Sequence, residues 1–446
     1  MASPQKPLTI ALHTLGCKVN HYETDAVAMR FLEAGFIEVP FDHPADVYLV
    51  NTCTVTGEAD RKSRQMLRRA RSVNPDALVV AMGCHVETAD TAAYADVLIG
   101  CDGRNRVVEL VLNALSVRFT GAAETKAWHT AGIEGTTYEE SGPVTRQSET
   151  RAYIKIQDGC DDFCAYCSIP LARGRARSRG RENILAETHA LAAAGFAEVV
   201  LTGIHIGAYG IDRGEGDRAL ARLARDVAAV NGISRVRLGS LEPQTVTSGF
   251  LEEIAGIPKL CPHFHLSLQS GSGPVLERMN RRYDPKRFLE IVVALRTAFP
   301  DAGMTTDVIV GFPGETEAEH KESLAFCERV GFSRMHVFRY SRRKGTAAAD
   351  MPGQVQPSVA ARRAGDFALL ADRLAKKFGA DCSGRMRDVL IESIDVDGLG
   401  KGYTPEYVST AVTGLSSADT GRILSVRLSD AGDGTLYGIP EVGEPA

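Results

Sequence analysis

Short apolar runs alternate with amphipathic stretches from Leu8 to about Leu115. The runs LTIALHT, DVYLVNT, ALVVAMG and DVLIG predict buried strands, and VAMRFLEAGF and RKSRQMLRRARSV predict helices between them. Strand and helix in turn predict a parallel α/β unit, because parallel neighbours need a crossover between them. Residues 120–150 carry neither period and are rich in Gly, Thr and Glu, which predicts a connection; the single tryptophan, Trp128, lies in it. From Arg151 onward six strand-like runs, AYIKIQ, EVVLTG, RVRLGS, HFHLSLQ, TTDVIVG and RMHVFRY, each end in polar or glycine residues and are followed by helical pattern. Six βα units predict an incomplete barrel whose functional residues sit where the strands end. After Lys377 the pattern changes to RDVLIES, YVSTAVTG, ILSVRLS and TLYGIP, separated by Gly and Asp, which predicts a small antiparallel β-barrel. The fold class is α/β.

Composition narrows this picture. A chain of 446 residues fits about three domains at roughly 150 residues each. With 44% hydrophobic and 24% charged residues it has apolar surface enough to fold, which excludes a disordered chain. The longest apolar candidate, Ala77 to Gly83, is strand-sized and far short of the ~18 residues of a membrane span. MASPQKPLTIALHTLG shows no secretory pattern, so the expected location is cytoplasmic. Ten cysteines in such a chain point to metal ligands, catalytic thiols or core residues before a disulfide framework. The net charge of −5 is unevenly spread: residues 1–150 carry 14 basic and 19 acidic groups, 151–380 carry 32 and 26, and 381–446 carry 5 and 11. A polyanionic partner is expected at the basic middle segment.

The strongest chemical signal is GCDDFCAYC, which sets Cys160, Cys164 and Cys167 at C-x3-C-x2-C spacing directly after the first barrel strand. Three thiolates on one loop can hold three irons of a 4Fe-4S cluster. A structural zinc site wants four closed ligands, and no Cys or His follows at zinc-finger spacing. The fourth iron is then open to a small molecule with amino and carboxylate donors, such as S-adenosylmethionine. Motif and position resemble the radical S-adenosylmethionine superfamily. The resemblance implies a reduced cluster that passes one electron to the sulfonium, and a protein that orients the cofactor. Candidate cradle residues at the strand ends are Tyr166, Thr202, Gly203, Ser240, Glu242, Gln269 and Gly311. The glycines would admit close backbone approach, and Glu242 and Gln269 would bond the cofactor's polar groups. No side-chain acid–base pair is evident.

Cys17 in TLGCKVN, Cys53 in NTCTV and Cys84 in MGCHV each follow a predicted parallel strand, so all three should emerge at one sheet edge, where open α/β sheets bind ligands. They read either as ligands of a second cluster or as small core residues. Cys101, in IGCDG, stands at a fourth strand end. Cys261, Cys327 and Cys382 read as core.

TLGCKVNHYET, NTCTVTGEADRKSRQMLRRA, GCDDFCAYCSIPLARG, RLGSLEP, LSLQSGS and DVIVGFPGETE together resemble the radical S-adenosylmethionine methylthiotransferases. That resemblance spans residues 8 to 440. It implies a methylthiotransferase N-terminal domain at 7–120, a linker at 121–145, a radical core at 146–377 and a TRAM β-barrel at 378–443. It implies two 4Fe-4S clusters, with Cys17, Cys53 and Cys84 on the auxiliary one and Cys160, Cys164 and Cys167 on the radical one; Cys101 matches neither set. GCKVN, the ADRKSRQ helix and SLEP resemble the branch acting on N6-threonylcarbamoyladenosine at position 37 of tRNA. The implied reaction places a methylthio group on carbon 2 of the adenine. The alternatives keep the chemistry on isopentenyladenosine in tRNA or on a ribosomal-protein aspartate.

The implied partner is a tRNA anticodon stem-loop; electron donor and sulfur source stay unidentified, and no membrane is expected. Arg61, Arg64, Arg68 and Arg71 fall on one face of a helix, with Met66, Leu67, Ala70 and Val73 on the other. RGRARSRGR (Arg173, Arg175, Arg177, Arg179, Arg181) follows the cysteine loop and predicts phosphate contacts. Arg339, Arg342, Arg343 and Lys344 form a third group. The acidic tail is a poor RNA anchor, with Lys401, Tyr403 and Tyr407 as its one candidate patch.

Overall fold

Strands Val47–Thr52 and Leu78–Gly83 are buried at every residue, as befits the centre of a parallel sheet covered on both faces. The computed structural model describes residues 6–88, 91, 93–120, 127–129, 137–430 and 436–440, and the chain divides into two compact units. The first comprises Met1–Ser148, Gln157–Arg179 and Ser341–Ala349; the second comprises Glu149–Ile156, Gly180–Tyr340 and Asp350–Ala446.

In the first unit β1 (Thr9–Thr14), β2 (Ile37–Glu38), β3 (Val47–Thr52), β4 (Leu78–Gly83), β5 (Val97–Ile99) and β6 (Ala127–His129) pair in parallel in the order β2-β1-β3-β4-β5-β6. Helices α1 (Lys18–Glu33), α2 (Gly57–Val73), α3 (Cys84–Thr88) and α4 (Val107–Thr120) are the crossovers. The four predicted strands are all present. Two things differ from the sequence pattern. Three residues of the connection form the edge strand β6. And α1 starts at Lys18, nine residues before its apolar stretch, because Asn20, Glu23, Thr24 and Asp25 are buried polar residues that period analysis reads as surface. Helix α2 is capped by the Thr56 hydroxyl, which accepts from the Ala59 amide at 3.1 Å, and carries Glu58 and Asp60 in its first turn.

The six predicted barrel strands are β7 (Ala152–Asp158), β9 (Glu198–Gly203), β10 (Arg235–Leu238) continuing as β11 (Ser240–Leu241), β12 (His263–Leu266), β13 (Gly303–Val310) and β14 (Arg334–Arg339). They run side by side in chain order as two sheets, β7-β9-β10 and β11-β12-β13-β14, and stay open. The last two residues of β7 pair antiparallel with β8 (Arg177–Ser178), which follows α5 (Ile169–Arg173). The barrel helices are α6 (Arg181–Ala193), α7 (Ala219–Ala228), α8 (Ser248–Ala255), α9 (Gly273–Arg278), α10 (Pro285–Ala298) and α11 (Glu317–Val330); α12 (Ala347–Asp350) and the 26-residue α13 (Pro357–Cys382) follow. Strands β15 (Met386–Ile394), β16 (Gly400–Tyr403), β17 (Ser409–Val412), β18 (Ile423–Asp430) and β19 (Leu436–Pro440) close a barrel, with one parallel pair, β17 with β19, where an all-antiparallel one was expected. The sequence reading misses β16, whose GKGY has no apolar alternation. Gly402 is there because a Cβ would lie 2.1 Å from the Leu390 carbonyl oxygen. Among the described residues no helix is long and apolar enough to cross a membrane.

Within the second unit the terminal barrel covers the end at which the half-barrel strands begin. Tyr407 stacks on Tyr403 and on His263, with both centroid distances 4.6 Å. The Arg151 guanidinium lies 5.2 Å from the Tyr403 centroid and Arg237 5.0 Å from that of Tyr407. The proposed RNA patch is corrected here: Tyr403 and Tyr407 spend their faces on the half-barrel. Behind them Glu198, 1% exposed, accepts from Arg237 at 2.7 Å. Burial pushes the Glu198 carboxyl up, but Arg237, Arg235 and Arg151 outweigh it and hold the group below the usual glutamate range. A depressed folded-state value means stability that is present above the unfolded value and lost as pH falls through the folded one. Glu198→Ala should therefore destabilise the second unit by about 3–5 kcal/mol, because it strands buried guanidinium groups. Denaturant unfolding at neutral pH measures this, and the gap between variant and wild type should narrow in acid.

Candidate metal centres in the first unit

Three strand ends deliver three thiols. Cys17 follows β1 as the extended N-cap residue of α1, Cys53 follows β3, and Cys84 follows β4 as the first residue of α3. Gly16 sits at φ +106, and a Cβ there would fall 2.7 Å from Cys53 Sγ, so only glycine lets the β1 loop approach the β3 loop this closely. Burial pushes the Cys53 thiol up to about 12, and Cys84, Cys17 and Arg173 all lie within electrostatic reach of it. The structure thus brings Cys17, Cys53 and Cys84 to one place. Asn20, the last residue of GCKVN, ties the site together: its amide nitrogen donates to the Leu15 carbonyl at 2.7 Å and the Thr52 carbonyl at 3.1 Å.

Cys101 joins this group unexpectedly. It is fully buried after β5, and its Sγ donates to Cys84 Sγ across 3.8 Å. That contact, followed by the Arg173 guanidinium, lowers the Cys84 thiol to about 7 against the effect of burial. Its pairing could not be read from spacing, because Cys84 and Cys101 meet only once β4 and β5 are neighbours.

Cys160, Cys164 and Cys167 occupy the loop after β7, in the same unit. The Cys160 amide donates to the Gly174 carbonyl at 3.0 Å and the Cys167 amide to the Cys164 carbonyl at 3.0 Å, which folds the loop back on itself. Burial pushes the Cys160 thiol up to about 12, with Cys167 and Cys164 close enough to raise it further. Tyr166, inside the loop, is half-buried. Two sets of three thiols suit iron: each is a soft donor set, and ligation releases the protons that burial retains.

In the second unit Thr202, Gly203, Ser240, Glu242, Gln269 and Gly311 all lie where β9, β10–β11, β12 and β13 finish, at one end of the half-barrel. Thr202 is buried and Ser240 exposed. Glu242 is held by Arg281, itself bonded to the Ser267 carbonyl at 3.1 Å. Gln269 takes φ 65, a left-handed backbone unusual outside glycine, and bridges to β13 through its amide and carbonyl. At Gly311 an added Cβ would lie 2.7 Å from the Ala360 Cβ of α13, so the close approach that needs glycine there is intramolecular.

The arginine run after the cysteine loop is corrected by the structure. Arg173 and Arg179 have no exposed surface and Arg177 is 5% exposed; Arg175 is on the surface, over the Phe163 ring at 4.7 Å, and Arg181 pairs with Asp226. Arg179 Nε donates to Glu140 at 2.9 Å and Arg177 to Asp102 at 3.2 Å. Arg343 of the third group is also buried, 2.6 Å from Asp60, and Arg71 of α2 clasps Asp96 with two bonds of 2.7 and 2.8 Å. The buried guanidinium groups of Arg173, Arg177, Arg179 and Arg343 hold the protein together and are not presented to phosphate. Of the candidate basic groups, Arg61, Lys62, Arg68, Arg175, Arg342 and Lys344 are exposed in this unit, and Arg339 is exposed in the second.

Arg173 is the residue of the run that sequence reasoning misplaced most clearly, because it is buried among the first unit's thiols and carboxylates. Its Nε donates to Cys84 Sγ at 3.1 Å, Nη1 to Glu23 at 2.8 Å and Asp158 at 3.1 Å, and Nη2 to Asn20 and Glu23, each at 3.0 Å.

Residues 9–99 match the uncharacterized protein family UPF0004, and residues 154–327 match the radical SAM superfamily. The chain is 38% identical to the threonylcarbamoyladenosine tRNA methylthiotransferase MtaB of Bacillus subtilis, over 95% of this chain and 94% of that protein. It is 35% identical to MtaB of Thermotoga maritima, over 95% and 96%, and 33% identical to the tRNA-2-methylthio-N(6)-dimethylallyladenosine synthase of Symbiobacterium thermophilum, over 96% and 93%. Among solved structures the radical S-adenosylmethionine methyltransferase TsrM from Kitasatospora setae shares the fold, with TM-score 0.56 and 13% identity over 77% of this chain and 74% of that one.

Proposed function

We propose that this chain, which belongs to the radical S-adenosylmethionine tRNA methylthiotransferase family, places a methylthio group on carbon 2 of N6-threonylcarbamoyladenosine at position 37 of tRNA. The observation that carries the reading is the meeting of Cys17, Cys53 and Cys84 from three strand ends, beside a separate three-thiol loop in the same unit. Cys160, Cys164 and Cys167 would hold one 4Fe-4S cluster, and Cys17, Cys53 and Cys84 the other. Once bound, the first cluster with S-adenosylmethionine supplies radical hydrogen abstraction, and the second supplies the sulfur-bearing site.

The chain's own part is to hold and orient. One closed loop carries Cys160, Cys164 and Cys167 and three separate strand ends carry Cys17, Cys53 and Cys84, so each set of three would leave one iron of a 4Fe-4S cluster without a cysteine. Thr202, Gly203, Ser240, Glu242, Gln269 and Gly311 of the second unit would contribute to an S-adenosylmethionine cradle. The tRNA anticodon stem-loop is the partner, in the cytoplasm, met through Arg61, Lys62, Arg68 and Arg175 as phosphate contacts that position without reading bases.

The dimethylallyladenosine reading is favoured by relatives of that name at 33–36% identity. Nucleoside mass spectrometry of tRNA from a strain lacking this protein separates the two. Loss of the 2-methylthio form of threonylcarbamoyladenosine, with the dimethylallyl form intact, is expected. The reverse pattern would replace the substrate named here.

A further inference from the structure

We propose that Arg173 is a tuning residue of the auxiliary centre: its Nε–H, hydrogen-bonded to Cys84 Sγ, raises the reduction potential of the cluster held by Cys17, Cys53 and Cys84. The inference rests on the reading that these three thiols hold a cluster.

A thiolate-ligated cluster becomes more negative on reduction. A hydrogen bond to a ligating sulfur, or a buried positive charge beside it, therefore favours the reduced state. Arg173 supplies both. Its side chain has no exposed surface, so water does not screen its charge. The guanidinium is a rigid planar fork whose five donors are fixed relative to one another. Glu23 takes one bond from each terminal nitrogen, at 2.8 and 3.0 Å, Asp158 a further one at 3.1 Å and Asn20 one at 3.0 Å. With both terminal nitrogens held, Nε–H has one direction left, and it points at Cys84 Sγ, 3.1 Å away.

A purely structural tie would need only the carboxylates, and Arg104 shows what such a tie looks like. Arg104 reaches the same Glu23 at 3.4 Å and the same Asp158 at 3.7 Å, and among the described contacts it donates to no sulfur. Arg173 also lies six residues past Cys167, on α5. The helix that follows the radical loop thus carries the donor to the other thiol set, and one short segment acts on both centres.

The test uses the full chain, reconstituted anaerobically with iron and sulfide, in a background where Cys160, Cys164 and Cys167 are alanine so that only the auxiliary centre can load. Iron and sulfide per chain are measured first. About four irons are expected; none would overturn the ligand reading itself, apart from anything Arg173 does. The potential is then measured by electron paramagnetic resonance during redox titration. Arg173→Lys keeps a charge for Glu23 but loses the fork that aims a donor at sulfur. It should lower the reduced-to-oxidised ratio at a fixed poise about tenfold, about 59 mV for one electron. Arg104→Lys should leave it unchanged. An unshifted Arg173→Lys protein, or an equal shift in Arg104→Lys, would overturn the proposal. Should Arg173→Lys fail to fold, resonance Raman on the Arg173 protein decides: exchange into D2O should shift an iron–thiolate stretching band, and bands that do not move would overturn it equally.

Discussion

Cys164→Ala should lower the iron content from about eight to about four per chain and abolish both S-adenosylmethionine cleavage and the methylthiolated nucleoside. Cys53→Ala should lower it by the same amount and abolish the nucleoside, yet leave reductive cleavage of S-adenosylmethionine in place. The asymmetry follows from the loops. Cys164 is held by the turn in which the Cys167 amide bonds its carbonyl, and Cys53 by Ser63, whose hydroxyl accepts from the Cys53 amide at 3.2 Å. Neither loop supplies a ligand to the other set. Iron and sulfide analysis of the reconstituted proteins, with nucleoside mass spectrometry after incubation with tRNA, reductant and S-adenosylmethionine, checks all of it. About four irons in the wild type, lost only in Cys164→Ala, would make the N-terminal thiols core residues.

Gly159→Val should empty the radical site while the auxiliary site still loads, giving about four irons per chain and no cleavage. Gly159 sits at φ +70, and a Cβ there would lie 1.9 Å from the Arg175 carbonyl oxygen and 2.7 Å from that of Gly174. The left-handed backbone alone costs about 1–2 kcal/mol for a residue with a side chain. The overlap is the larger obstacle, because its partner is backbone. Relief would separate the Cys160 amide from the Gly174 carbonyl, the bond that closes the cysteine loop. Gly195→Ala is the matched control. It has φ +90 and nothing within 4 Å of the added Cβ, so it should bear the backbone strain and keep all its iron. Equal iron loss in the two proteins would mean that strain, not the closed loop, sets loading.

The distance between expectation and structure is instructive at particular residues. The GCDDFCAYC loop is legible because its three thiols lie within eight residues, so spacing alone confines them to one place. The convergence of Cys17, Cys53 and Cys84 is half legible: alternating strand and helix predict parallel strands, and parallel strands end at one edge, but which ends are neighbours depends on the order β1-β3-β4-β5. Cys101 shows the limit. It stands at a strand end like the others, and only the pairing of β4 with β5 puts its sulfur 3.8 Å from Cys84.

By itself the sequence determined the strands, the sites' loops and the chemistry their thiols permit, since period, turn residues and close spacing act over a few residues. Tertiary structure alone decided what the charges do. RGRARSRGR reads as a basic surface, yet Arg173 and Arg179 have no exposed surface, because Glu23, Asn20, Asp158, Glu140 and Tyr22 arrive to satisfy them, three of these from more than a hundred residues away. The same holds for Tyr403 and Tyr407, whose ring faces meet His263, Arg151 and Arg237. A guanidinium is buried at tolerable cost only where acceptors or opposite charges come to meet it. Those partners are set by the packing of whole elements, which no local pattern records.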